Sequence, residues 1–483
     1  MGRSRARFAR CCAHTVTLMT DSLVALAGRI RAGEVSALEA VDDVLTRIEA
    51  LDGDLNAFCE VRADDARAQA RAVGERLARG ENVGVLAGVP IGVKDLENAT
   101  GFRTTYGDPK HAFDPPATRD SVEVARLRAA GAVVVGKTNT PAYGFHAETN
   151  NLVFGATRNP WALGRTCGGS SGGSAASVAS GMVTLATGSD GGGSIRIPSE
   201  TCGICGFKPT HGVVPSGDDD APTWGTLSTR GPMARTFPEI ALALDVVKGI
   251  STRDLLSFDL AGSFVDAAAR SSVEGLRLAW SPTLGHARPD PEVLELCEAA
   301  LRVLESHGAR VVETVDRLFD PNPAGPWSMR AAAGSWRLIS AGGEEWEERF
   351  LPEARLIPRF GEKLTGAQVD EGDVGAHEAN LRLADLWERV DLLVTPGMAT
   401  VPPRIGELSP YGGGWAADYT LAFNLVRAPA AVVPAGFVSD AGDSLPIGLQ
   451  IVAPRGADLA LMRAAAGADA ALGFSARRPP VHA

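Results

Sequence analysis

Apolar residues fall at helical spacing where the chain first shows a pattern. Leu23, Leu26, Ala27 and Ile30 share one face, and Leu38, Val41, Leu45 and Ile48 share another behind a Ser36/Glu39 capping box. Residues 63–79 continue as an alanine- and arginine-rich helix. Then the period changes. Ile91 and Val93 alternate with Gly92 and Lys94 behind Pro90, which suits the first residue of a strand. Residues 122–130 read as helix, and 133–135 as a buried strand that runs into Gly136-Lys137. Further on, 276–280 predicts a strand, 291–307 an amphipathic helix, and 392–396 a buried strand. Residues 430–438 and 446–452 predict a strand pair joined by a turn at 440–444, and 458–472 a closing helix. Strands alternating with helices predict an α/β fold: a large mixed sheet flanked by helices on both faces.

One stretch breaks the pattern. Residues 168–199 consist almost wholly of glycine and small side chains. A flexible linker would have nothing to bury, yet residues 182–187 (MVTLAT) form an apolar run bounded by glycine. The stretch therefore reads as loop, short helix over 174–180, buried strand, loop. Around it, residues 1–19 read as a disordered tail, with Met1 and Met19 both open as the start. Residues 20–475 read as one domain with a helical, substrate-side insertion around 250–390, and 476–483 as a second tail.

Composition narrows the function. A net charge of −11 argues against nucleic acid as the main partner. No window reaches the roughly 18–20 continuous apolar residues of a membrane span. Seven cysteines, an odd number without a dense framework, predict free thiols and a cytoplasmic protein. Cys202 and Cys205 have redox spacing but sit in a glycine-rich apolar turn, so they read as packing thiols. No cofactor or metal is expected.

Three chemistries could use the small-residue loops. A phosphate cradle needs a lysine after its glycines, and none follows Gly172-Gly173 or Gly192-Gly193. A nucleophile elbow matches Gly168 to Gly172 literally, but a poor strand precedes it and no histidine sits in a distinctive loop. The third uses serines with a lysine. A serine hydroxyl needs a base, and lysine serves only when desolvation keeps it neutral. Ser194 follows three glycines after a strand, where amides can converge on an oxyanion. Two lysines, Lys94 and Lys137, end strands, and spacing alone does not rank them.

Six segments carry a resemblance: GVPIGVKD (88–95), GGSSGGS (168–174), SDGGGSIRIPS (189–199), GICGFKPT (203–210), GPMAR (231–235) and PIGLQ (446–450). They resemble the amidase signature family over about residues 20–475, and its two serines lie 194 − 170 = 24 residues apart here. The resemblance implies that Ser194 is the nucleophile, Ser170 a serine reached through a cis peptide, and Lys94 the base. It implies that Gly191, Gly192 and Gly193, with Ser194, form the oxyanion hole, and that Asp190 and Arg196 hold the loop. Lys137 and Lys208 become structural by the same comparison. The expected activity is hydrolysis of a small carboxamide or linear amide to acid plus ammonia or amine. The alternative is the glutaminase subunit of a tRNA-dependent amidotransferase. A homodimer is compatible with either.

Departures fall on the substrate side. Pro141-Ala142 lacks an acid common in relatives, Cys167 replaces another residue, and Arg427 stands where a small residue is usual. Tyr143, Phe145, His146, Trp224, Trp327 and Trp336 are candidates for an acyl pocket, and Arg427 for a polar contact.

Overall fold

The computed structural model describes residues 22–217, 224, 226–340, 345–407 and 414–482. The expected N-terminal tail, 1–19, lies outside them. The α/β class holds, but the strands divide into two main sheets rather than one. The first has five strands in the order Phe58–Val61, Val133–Thr138, Pro90–Lys94, Leu185–Asp190, Thr229–Ala234. Its three central strands run parallel. The second has six strands in the order Arg310–Thr314, Arg277–Trp280, Leu392–Pro396, Asp443–Val452, Ala430–Asp440, Gly206–Lys208.

Both faces of the first sheet are covered, as an alternating strand requires. Val133 and Val135 join Ala175, Ala179 and the Leu26–Ile48 helices on one side. Ile91, Val93 and Val134 join Val124, Leu127, Phe237 and Leu244 on the other. The predicted capping box forms, with Ser36 Oγ accepting from the Glu39 amide at 3.1 Å.

Within the small-residue stretch the order of elements is as expected, with shifted bounds. The helix is Gly172–Ala179 and the strand Leu185–Asp190, three residues later than the apolar run. Met182 and Val183 are buried in the turn that feeds the strand.

Two boundaries differ from expectation. The 250–390 segment is not purely a helical insertion, because it supplies the parallel strands Arg277–Trp280 and Arg310–Thr314 to the second sheet. Only its later part, Ala324–Ser340, Leu356–Glu362 and Gly366–Trp387, is a helical layer. Nor do the last residues trail away: Arg477 lies 5.5 Å from the Phe437 ring centroid, and Val481 packs on the core.

Candidate active site

Lys94 closes the central strand of the five-stranded sheet, at the carboxyl end of its parallel strands. Its amide donates to Thr187 Oγ1 at 3.0 Å. Its side chain is fully buried and ends among hydroxyls: Nζ lies 2.8 Å from Ser170 Oγ, 2.8 Å from Ser171 Oγ and 3.0 Å from Ser189 Oγ. Among the described residues no carboxylate pairs with it. Burial lowers its pKa to about 7; Arg230 adds to the effect, while Glu97 and Asp190 oppose it.

A neutral amine donates two hydrogens and accepts one, so one of the three hydroxyls must donate to Nζ. Ser171 Oγ faces the Ser189 carbonyl at 3.3 Å and directs its hydrogen there. Ser170 is thereby favoured over Ser171 as a proton source for Lys94. The Gly169–Ser170 peptide is cis, as the resemblance implied.

Ser194 is half-buried and follows Gly193, whose φ is +134°. Its carbonyl accepts from the Ser171 amide at 3.2 Å, which ties the two serine segments together. The carbonyls of the loop before it are all held by the scaffold. Asp190 O accepts from Asn424 Nδ2 at 2.6 Å, and Gly191 O from Trp327 Nε1 at 2.8 Å. Gly192 O accepts from Thr420 Oγ1 at 2.5 Å, and Gly193 O from the Ile197 amide at 2.7 Å. Planar trans peptides turn the following amides away from those partners. The Gly193 amide corrects the expected oxyanion hole: it donates to Asp190 Oδ1 at 2.7 Å and so braces the loop. That leaves Gly191, Gly192 and Ser194 as the candidate donors.

Asp190 and Arg196 form a wholly buried pair at 2.9 Å. Burial alone would raise the Asp190 carboxyl; Arg196, helped by Lys208 and the Asn424 amide, outweighs it and holds the group well below the usual range. Arg196 also reaches Gln450 Oε1 at 2.7 Å and Asn424 Oδ1 at 2.6 Å. Sequence reasoning gave no role to Asn424, Thr420, Ser171 or Ser189. Their nearest signal was that Ser171 and Ser189 lie within GGSSGGS (168–174) and SDGGGSIRIPS (189–199).

The substrate-side candidates divide. Gly144 backs onto the triad, since a Cβ there would sit 3.1 Å from Ser170 Oγ. The neighbouring Tyr143 is buried and stacked, with ring centroids 5.5 Å from Tyr106 and 5.6 Å from Phe145, and its hydroxyl meets His111 Nε2 at 3.0 Å. It is a wall of the site rather than a polar contact. Burial lowers the His146 pKa against the pull of Glu353, and its Nδ1 accepts from the Glu148 amide at 3.2 Å. Trp327 covers the loop directly, because a Cβ on Gly192 would meet its ring at 2.7 Å. Trp224 packs beside it, 5.8 Å between centroids. Trp336 stands further back against Trp346. Arg427 is half-buried and donates to Thr226 Oγ1 at 2.9 Å. Cys167, Cys202 and Cys205 are buried free thiols, and burial pushes Cys202 up to about 12, which suits packing rather than reactivity.

The chain matches the Amidase family over residues 39–462. It is 34% identical over 480 residues to an acylamidase of Rhodococcus erythropolis, covering 95% of this chain and 97% of that protein. It is 36% identical over 444 residues to a glutamyl-tRNA(Gln) amidotransferase component from Roseiflexus castenholzii, covering 87% and 89%. A solved bacterial aryl acylamidase of the amidase signature family superposes with a TM-score of 0.86 at 30% identity, covering 95% of this chain and 99% of that one. Matched over nearly its full length, the chain belongs to the amidase signature family and is a hydrolase of carbon–nitrogen bonds other than peptide bonds.

Proposed function

We propose that this amidase cleaves a small linear amide through an acyl-enzyme on Ser194. The observation that carries the reading is the buried Lys94 amine, 2.8 Å from Ser170 Oγ and without a carboxylate partner among the described residues. Ser194 Oγ attacks the carbonyl carbon as its proton moves to Ser170 and that of Ser170 moves to Lys94. The amides of Gly191, Gly192 and Ser194 stabilise the oxyanion. The proton returns through Ser170 to the leaving nitrogen, which departs as ammonia or amine. Water then attacks the acyl ester along the same route and releases the carboxylic acid.

Trp224 and Trp327 beside the loop support an apolar or aryl group next to the scissile carbonyl. The free thiols among the described residues support a cytoplasmic location.

Release of ammonia or amine from aliphatic, aryl and amino-acid amides tests the reading, with mass spectrometry of the acylated protein. We expect an acyl adduct on Ser194 and its loss in Ser194→Ala. Retained hydrolysis in that variant would overturn the assignment. Ammonia release from glutamine alone, and only with partner subunits added, would favour the amidotransferase role instead.

A further inference from the structure

Thr226, Arg330 and Arg427 meet from three separate segments. Arg427 Nη2 donates to Thr226 Oγ1 at 2.9 Å, and Arg330 Nη2 donates to the same oxygen at 2.5 Å. A hydroxyl carries no charge, so Thr226 itself neutralises neither of the two guanidiniums that converge on it. Arg330 has one carboxylate partner, the half-exposed Asp373, and its Nε is buried with no partner. Among the described residues no carboxylate pairs with Arg427. Arg427 also feels the charge of Arg455, and Arg330 that of Arg427. The backbone of Arg427 is left-handed, φ +61°, a conformation that favours glycine. The site thus holds an arginine in a conformation that glycine would adopt more easily.

Each of the three segments also touches the oxyanion loop two or three residues earlier. Trp224 packs on Gly191, Trp327 donates to Gly191 O, and Asn424 donates to Asp190 O. Within the helix Ala324–Ser340 three residues advance by roughly 5 Å, so Arg330 stands about one turn beyond the loop that precedes Ser194, and Arg427, two residues past the helix Leu421–Leu425, meets it there through Thr226.

We propose that Arg330 and Arg427 form a carboxylate subsite, and that the preferred substrates are amides whose far end carries a carboxylate. The inference rests on the Ser194 amidase reading. Arginine presents a planar fork that matches a carboxylate, and the Thr226 hydroxyl can rotate to donate to it.

Matched substrates test it: monoamides of dicarboxylic acids such as adipamate, against alkyl amides of the same length such as hexanamide. We expect wild-type kcat/KM to favour the carboxylate by about tenfold or more, with a preference that falls as salt is raised. Arg427→Gly and Arg330→Gln should collapse that ratio through KM, while Arg427→Lys keeps part of it. Arg427→Glu should turn the preference toward 6-aminohexanamide. A wild-type ratio near one, or variants that lower both substrates by the same factor, would overturn the subsite. Calorimetric binding of adipamate to Ser194→Ala reads the subsite without turnover. Binding there that Arg427→Gly abolishes supports it, and absent binding overturns it. Hydrolysis retained by Ser194→Ala would instead count against the amidase mechanism.

Discussion

Two lysines end neighbouring parallel strands, both are fully buried, and only one is placed to act as a base. Lys137 lies 3.0 Å from Asp95 Oδ1 and also donates to the carbonyl of Glu97 at 2.7 Å. Lys94 meets three serine hydroxyls instead. A carboxylate at hydrogen-bond distance stabilises the ammonium form, while hydroxyls can accept or give a proton. Lys208 sharpens the contrast. Burial lowers it to about 7 as well, yet its Nζ faces the carbonyls of Pro209 and Ala428, which can only accept. A neutral amine is not enough; a base also needs a group that can hand it a proton.

The largest effect that could break this comparison is loss of Lys94. Lys94→Met should lower kcat/KM about 10²–10⁴-fold with the fold kept, read from amide turnover and thermal unfolding. Equal loss of turnover in a folded Lys137→Met would erase the distinction. Lys137→Met should act on stability, because it strands the buried Asp95 carboxylate. We expect a cost of about 3–5 kcal/mol in urea unfolding. Lys208→Met leaves two carbonyls without a donor and should cost about 1–3 kcal/mol. The pH profile follows from the sign of the Lys94 shift. Burial lowers its pKa, so the neutral base is lost below about 7. There kcat/KM should rise about tenfold per pH unit and then level off. A profile flat between pH 5 and pH 9, roughly two units either side, would remove Lys94 as the base.

The residues that separate the two lysines were in the sequence, but hidden by geometry. Asp95 follows Lys94 directly, and a linear reading pairs the two. Successive strand side chains face opposite ways. Val93 pairs in register with Lys137, and Lys94 with Thr138. Asp95 therefore falls on the Lys137 side, and Lys94 on the side of Thr138, Ser174 and Thr187. The alternating strands and capped helices were legible because their pattern is local. The division into two sheets was not, because it depends on pairings far apart in the chain. Nor were Asn424 and Thr420 as loop supports, since each acts across more than two hundred residues. The mistaken Gly193 amide has the same origin: composition marks a glycine loop, but only its fold decides where each N–H points.

The indole bond from Trp327 to Gly191 O has a consequence for how such an enzyme can change. Trp327 belongs to the helical layer beside the site, yet it braces the loop proposed to stabilise the transition state. A substitution that reshapes the pocket there also loosens the oxyanion donors, so selectivity and turnover cannot drift independently. Diversification at this position is harnessed to rate, and new specificities are reached more freely from residues such as Arg427 that leave the loop carbonyls alone.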